Sequence, residues 1–228
     1  MGERVNLPGW KKLLSHVSEI RLEETSSEYH PLLVVNLVNG RYQLCCEKAI
    51  YSYDDKYDNF RLAFEKLDFE NYNIKTVLVL GLGLASVPFM LEKMFEQKMH
   101  YTIVEIDEVV VELAHRYTLS DLDSPTEVVI GDAYHYLLTS QSKFDMIVMD
   151  IFNEDVIPEK FQSQEFFTML RDHLNPEGVL LYNRLATTSE DMDANRQFLT
   201  AFKSTYPKGD YMEVSQNWIV YNDSRFFK

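Results

Sequence analysis

The chain reads as an α/β protein: a mostly parallel sheet with helices on both faces, closed by an antiparallel C-terminal hairpin and preceded by a small helix-plus-β-hairpin unit. Three observations predict this. From Thr76 onward, short apolar runs alternate with helical patterns, which calls for a parallel sheet covered by helices. The first of these runs, Thr76-Val-Leu-Val-Leu80, leads directly into a glycine turn, Gly81-Leu-Gly83. The last two apolar runs are separated only by Ser215-Gln216-Asn217, a connection too short for anything but an antiparallel pair.

Taken in order, residues 10–20 carry apolar side chains at helical spacing (Trp10, Leu13, Leu14, Val17, Ile20), which predicts a helix. Residues 32–38 and 42–46 read as strands joined by Asn39-Gly40, and Asn-Gly between apolar runs is the strongest short hairpin signal. These elements place residues 1–72 in the N-terminal unit and residues 73–228 in the sheet domain. In that domain the predicted strands are 76–80, 101–105, 127–130, 144–150 and 178–183, each followed by a helix (85–97, 108–117, 133–139, 163–174, 191–204). Residues 211–214 and 218–221 form the closing hairpin. No internal repeat or low-complexity segment interrupts the pattern.

A chain of 228 residues with 46% hydrophobic content has ample material for a buried core. Its net charge of −14 argues against nucleic acid or an anionic membrane as partner, since both need clustered Lys and Arg. A cationic substrate is compatible with it. The only cysteines, Cys45 and Cys46, are strand neighbours pointing to opposite faces, so neither a bridge between them nor a metal site is expected. His100, His115, His135 and His173 lie on different predicted elements without metal-ligand spacing. No apolar run reaches the roughly 18 residues of a membrane span and no signal peptide is read at the N-terminus. The expectation is a soluble, metal-free protein of the reducing cytoplasm.

Chemistry is expected at the carboxyl ends of the parallel strands, where open α/β sheets bind their ligands. Glu105 follows Gly81 by 24 residues, near the spacing of about 20 that separates a glycine turn from the acid accepting ribose hydroxyls. A lone Gly-x-Gly is a weak signal, and a tight turn without a ligand is the bland alternative. Gly-x-Gly-x-x-Gly is not completed, since Pro88 and Phe89 occupy the helix start. That favours a mononucleoside such as an S-adenosyl compound over a dinucleotide, because no pyrophosphate has to be cradled. The other strand ends are acidic too: Asp107 after the second, Gly131-Asp132 after the third, and Asp150 with Asn153, Glu154 and Asp155 after the fourth. An acid after the third strand can accept from an adenine amino group, and one after the fourth can hold or deprotonate an amine. Helix capping is the structural alternative for Asp132 and the favoured one for Asp107.

These residues resemble the spermidine synthases and their relatives, over about residues 39–183. The resemblance rests on Asn39-Gly-Arg-Tyr-Gln43, Glu47-Lys-Ala-Ile-Tyr-Ser-Tyr53, Val104-Glu105-Ile-Asp107 with Glu108-Val-Val, Gly131-Asp132-Ala-Tyr-His-Tyr-Leu137 and Phe144-Asp-Met-Ile-Val-Met-Asp150. Phe161-Gln-Ser-Gln-Glu-Phe-Phe and Leu174-Asn-Pro-Glu-Gly178-Val-Leu continue it. It implies a Rossmann-like class I methyltransferase fold that binds S-adenosylmethionine or its decarboxylated form, leaving methylthioadenosine or S-adenosylhomocysteine. Carried over by position, it assigns Gly81, Gly83, Glu105, Asp132, Ala133 and Gln43 to the nucleoside, with Glu105 on the ribose and Asp132 on the adenine. Tyr53, Asp54 and Asn153 fall on the acceptor side, and Asp150 becomes the acid that takes the proton of an attacking amine. A small-molecule amine is the implied acceptor, and a homodimer is compatible with the family's N-terminal strands.

The departures are specific. Where the family loop reads Gly-Gly-Gly-Asp-Gly-Gly, this chain has Gly81-Leu-Gly83-Leu84-Ala85-Ser86. The family's Asp-x-x-Asp becomes Asp150-Ile-Phe-Asn153, and its Tyr-Gln-Glu becomes Tyr53-Asp54-Asp55. Two carboxylates that recognise cationic amines are replaced. Three readings follow: transfer of an aminopropyl or related group to an amine, methyl transfer from S-adenosylmethionine, and a non-catalytic nucleoside-binding or assembly module.

Overall fold

The computed structural model describes residue 5 and residues 7–46 and 49–228; Glu47 and Lys48 of the motif ending at Tyr53 lie outside the described residues. Two sheets organise the chain. The N-terminal sheet is antiparallel, in the order β1 (Ile20–Thr25), β2 (Leu33–Val38), β3 (Arg41–Cys46), β4 (Ala49–Ser52). Asn39 and Gly40 both adopt positive φ (51° and 74°), as a two-residue hairpin turn requires.

This sheet enlarges the expected helix-plus-hairpin unit. The predicted helix over residues 10–20 is only α1 (Gly9–Leu14), and Ile20 opens β1 instead. The apolar spacing was misleading because none of α1's residues is buried and Val17 lies almost fully exposed. In β1 a register shift between Arg21 and Glu23 blurs the alternation that marks a strand.

The larger sheet has seven strands: β5 (Thr76–Leu80), β6 (His100–Glu105), β7 (Thr126–Ile130), β8 (Phe144–Met149), β9 (Leu174–Leu185), β10 (Asp210–Val214) and β11 (Asn217–Tyr221). Their spatial order is β10-β11-β9-β8-β5-β6-β7, with β5 to β9 parallel and β11 antiparallel to both neighbours. The helices are α2 (Asp58–Lys66), α3 (Ser86–Lys93), α4 (Glu108–Tyr117), α5 (Ala133–Thr139), α6 (Gln164–Asp172) and α7 (Ser189–Thr205).

Alternate residues of each strand feed opposite faces. Val77 and Val79 pack with Phe60, Phe64, Met90, Leu91 and Val111, from α2, α3 and α4. Leu78 and Leu80 pack with Leu137, Phe166, Phe167, Phe198 and Phe202, from α5, α6 and α7. The result is three layers, helices–sheet–helices. Helix α2 had its signal in Phe60, Ala63, Phe64 and Leu67, apolar at i, i+3, i+4 and i+7.

A third cluster joins the two sheets. Leu33, Val35, Leu44 and Cys46 of β2 and β3 pack on Leu84, Val110, Leu113 and Tyr117, and Glu23 of β1 pairs with Arg116 and accepts from Tyr117 Oη at 2.8 Å. Leu84 is fully buried there. Restoring the family's carboxylate with Leu84→Asp would therefore bury an unpaired charge in an apolar cluster. The expected loss is about 3–5 kcal/mol of stability, read as a lower urea midpoint; an unchanged midpoint would contradict this packing.

Candidate active site

The chain leaves β5 toward β6 and β7 on one side and later returns to β8 on the other, so the ends of β5 and β8 form a topological switch point. There Gly81 adopts φ +92°, and a Cβ on it would lie 2.3 Å from the Asp150 carbonyl oxygen. Only glycine fits so close a passage. Gly83 (φ +52°) is pressed from the other sheet: its Cβ would sit 2.9 Å from Ser52 Cβ and 3.1 Å from the Tyr51 carbonyl. Ala85 takes φ +64° as the residue before α3, which is why that helix starts one residue later than predicted.

A cleft of about 940 Å³ opens over this point. Glu105, ending β6, accepts the Leu82 N–H at 2.9 Å and the Asp107 N–H at 3.0 Å, one on each carboxylate oxygen. Burial pushes its carboxyl up, against the pull of those N–H groups. Asp107 itself is a cap, accepting from Val109 N–H at 2.9 Å and from Ser27. Asp132 accepts the His135 N–H at 3.1 Å at the start of α5 and pairs with Lys160. Its burial favours the neutral acid, but the Lys160 ammonium and the helix N–H groups outweigh that and lower its pKa. Ala133, the first residue of α5, lines the cleft beside it.

Asp150 follows β8 at the end of the rim. Its Oδ1 accepts from Asn183 Nδ2 at 2.8 Å and from Tyr57 Oη at 3.3 Å. Burial raises its pKa to about 6, the two donors and Glu105's charge acting as smaller influences. Burial, reinforced by the negative Asp150, pushes the Tyr57 hydroxyl well above its ordinary value, so it remains a donor. Asn183, 1% exposed in β9, takes a further bond from Asn217 at 2.8 Å. Beyond Asp150 the chain turns back at Asn153, which pairs with Val156 through backbone bonds of 2.8 and 3.1 Å. Tyr51 Oη fastens this turn by accepting the Glu154 N–H at 2.7 Å.

The structure brings together Gly81, Gly83, Glu105, Asp132, Ala133, Asp150, Tyr53 and Asn153 around one cleft. Two expected residues are not among its lining. Gln43 is buried in β3 opposite Asn36, with Cys45 Sγ at 3.4 Å from its Oε1. Asp54 is buried with a backbone φ of +38°; its Oδ2 accepts the Tyr42 N–H at 2.8 Å and burial lifts it to about 7. Both side chains serve the small sheet. The sequence reading missed Tyr57, Asn183 and Lys160. Asn183 had a signal, as a polar residue in an otherwise apolar strand; Tyr57 and Lys160, in turns, had none.

Electrostatically the cleft is negative. Glu28, Asp58, Glu105, Asp132, Asp150, Glu154, Asp155 and Asp191 line it against two lysines, Lys56 and Lys160. Among the described residues no group of three His, Cys, Asp or Glu is placed to hold a metal ion, and no helix is long and apolar enough to cross a membrane.

Known structures superpose on this chain. A spermidine synthase solved with the transition-state analogue AdoDATO superposes with a TM-score of 0.70 at 16% identity, over 91% of this chain and 76% of that one. Human methyltransferase-like protein 13 with SAH gives 0.56 at 22% identity, over 66% and 72%. These show a shared fold. A probable polyamine aminopropyl transferase of Bifidobacterium longum is 33% identical over 138 residues, 60% of this chain and 30% of the relative; the chain spans about a third of the length of the curated relatives it matches at such identity. The spermine/spermidine synthase domain model matches residues 64–213, from within α2 to β10 and across every acid of the rim, and the chain belongs to that domain family.

Proposed function

We propose that the chain is a transferase that holds an S-adenosyl nucleoside at the carboxyl rim and moves an aminopropyl or related group from its sulfonium to the nitrogen of an amine. The observation that carries this reading is the order of the rim: Asp132, Glu105, Gly81 and Asp150 follow β7, β6, β5 and β8, which are adjacent in the sheet. Three strand spacings, about 14 Å, suit a base at Asp132, a ribose at Glu105 and the sulfur over the glycine turn. Asp150 then stands where the transferred carbon would be.

The donor supplies an electrophilic carbon on a positive sulfur. The chain's residues do the rest. Glu105 has acceptor capacity left for ribose hydroxyls after its two backbone bonds. Asp132 offers an acceptor to an adenine amino group. An alkylammonium has no lone pair to attack with, so Asp150 orients it and takes its proton, while Tyr57 and Asn183 hold Oδ1 in place. A new N–C bond forms as the S–C bond breaks, and the proton leaves through Asp150. The acidic lining supports a small cationic acceptor. The thiols of Cys45 and Cys46 support a reducing compartment such as the cytoplasm. We also read the chain as two units, residues 1–72 and 73–228, although α2 lends its apolar face to the second.

Methyl transfer is the second reading, favoured by Leu84: this position contributes an apolar side chain to the inter-sheet cluster and no carboxylate to the cleft. The nucleoside product separates the two chemistries, methylthioadenosine for aminopropyl transfer and S-adenosylhomocysteine for methyl transfer.

Glu105→Ala should weaken methylthioadenosine binding by about 1.5–3 kcal/mol, the range for a hydrogen bond to a charged group, in calorimetric titration. Unchanged affinity, or no binding by the wild type, would remove the nucleoside site.

Asp150→Asn should keep that affinity yet lower turnover by about 10²–10⁴-fold. Wild-type kcat/KM should rise with pH through about 6 as Asp150 loses its proton. The stability effect has the opposite sign. Between 3.8 and about 6 the folded state retains a proton that the unfolded chain releases, so this group's contribution to stability falls as pH rises through that window. The Asp150→Asn variant should thus have a Tm at pH 7 no lower than the wild type. A fully active variant, or one that loses activity only by melting, would exclude Asp150 as the base.

A further inference from the structure

We infer that the site selects a donor whose tail carries an α-carboxylate, with Lys56 as the cation that receives it. The inference rests on the S-adenosyl-nucleoside part of the reading above and, within it, sides with methyl or related-group transfer against transfer from a decarboxylated donor. Lys56 ends the 3-10 turn Asp54–Lys56, and both flanks of that turn are anchored at the reacting end of the cleft. On one side Tyr53 N–H donates to Ser86 Oγ at 3.1 Å, in the first turn of α3 beyond the glycine loop. On the other, Tyr57 Oη donates to Asp150. A lysine between these anchors borders the region into which a chain attached to the sulfur must extend, and Lys56 lines the cleft there.

Lys56 is exposed, and its charge acts on Asp55 only as a minor influence behind Arg41. The neighbouring Asp55 is held by Arg41 in a two-pronged pair at 2.5 and 3.0 Å, and Asp58 by Arg61 at 2.9 Å. Lys56 forms no ion pair among the described residues, whereas the other lysine of the lining sits on Asp132. An unpaired ammonium suits a carboxylate and repels a bare aminopropyl ammonium. Leu84 acts in the same direction, since it brings no acid to attract that ammonium. In a cleft with eight acids and its other lysine paired, a carboxylated tail gains from such a cation. A donor of this kind, an amino-acid sulfonium, offers methyl and 3-amino-3-carboxypropyl groups for transfer.

The test is calorimetric titration of the whole chain with three probes: S-adenosylhomocysteine, its decarboxylated analogue with the same tail less the carboxylate, and methylthioadenosine. The wild type should bind S-adenosylhomocysteine at least tenfold more tightly than the decarboxylated analogue. Lys56→Met should abolish that preference, Lys56→Arg should retain it, and both should bind methylthioadenosine as the wild type does. Equal binding of the two tailed probes by the wild type, or a preference that survives Lys56→Met, overturns the inference while leaving the nucleoside site intact. If methylthioadenosine also fails to bind the wild type, the nucleoside reading falls first and takes the inference with it.

Discussion

The passage of Gly81 against the Asp150 carbonyl is the constraint from which the rest of the site follows. With 2.3 Å available to a Cβ, strands β5 and β8 can stay paired to their ends only if position 81 has no side chain. That contact draws the glycine turn and Asp150 together, and it leaves the Leu82 N–H free to reach Glu105 on β6. Three strand ends are thus tied by a backbone approach and one carboxylate. Rigid strand ends position reacting groups more tightly than mobile loops can.

The rim acids are similar in type and different in state. All three are half-buried: Glu105 is bonded by two backbone N–H groups, Asp132 is paired with a lysine, and Asp150 has only neutral donors. Their pKa values separate accordingly, and Asp150 is moved toward the range in which a carboxylate exchanges protons near neutrality. A change of neighbours, with no change of residue type, sets the three acids apart.

Most of the large sheet could be read from the sequence because its signals are local: alternating apolar runs, the glycine turn, acids at strand ends. Its strands and helices match the reading to within a few residues, apart from β9, which begins earlier because Leu174 already pairs with Phe144 of β8, ahead of a register shift that leads to Val179. The small sheet was half legible. Its hairpin carried Asn39-Gly40, whereas β1 is bulged and β4 is only four residues long. The site divided in the same way. Acids at strand ends were found, but Tyr57 and Lys160 reach the cleft from turns whose direction depends on tertiary packing. Gln43 and Asp54 lie outside the cleft lining for the same reason: resemblance assigned them a position, and packing turned their side chains to the small sheet.

The contact between Gly83 and Ser52 has a consequence for how the two sheets can change over time. A Cβ at 83 would meet Ser52 Cβ at 2.9 Å, so the two positions form a size-matched pair across the seam. Enlarging either would push the glycine loop away from β4 or force the neighbour to shrink, and tightly packed seams tolerate such volume changes poorly. The small sheet is therefore not a detachable appendage that could be exchanged freely with a relative's: any graft must bring a partner of matching size for the loop, and the two sheets are bound to drift together.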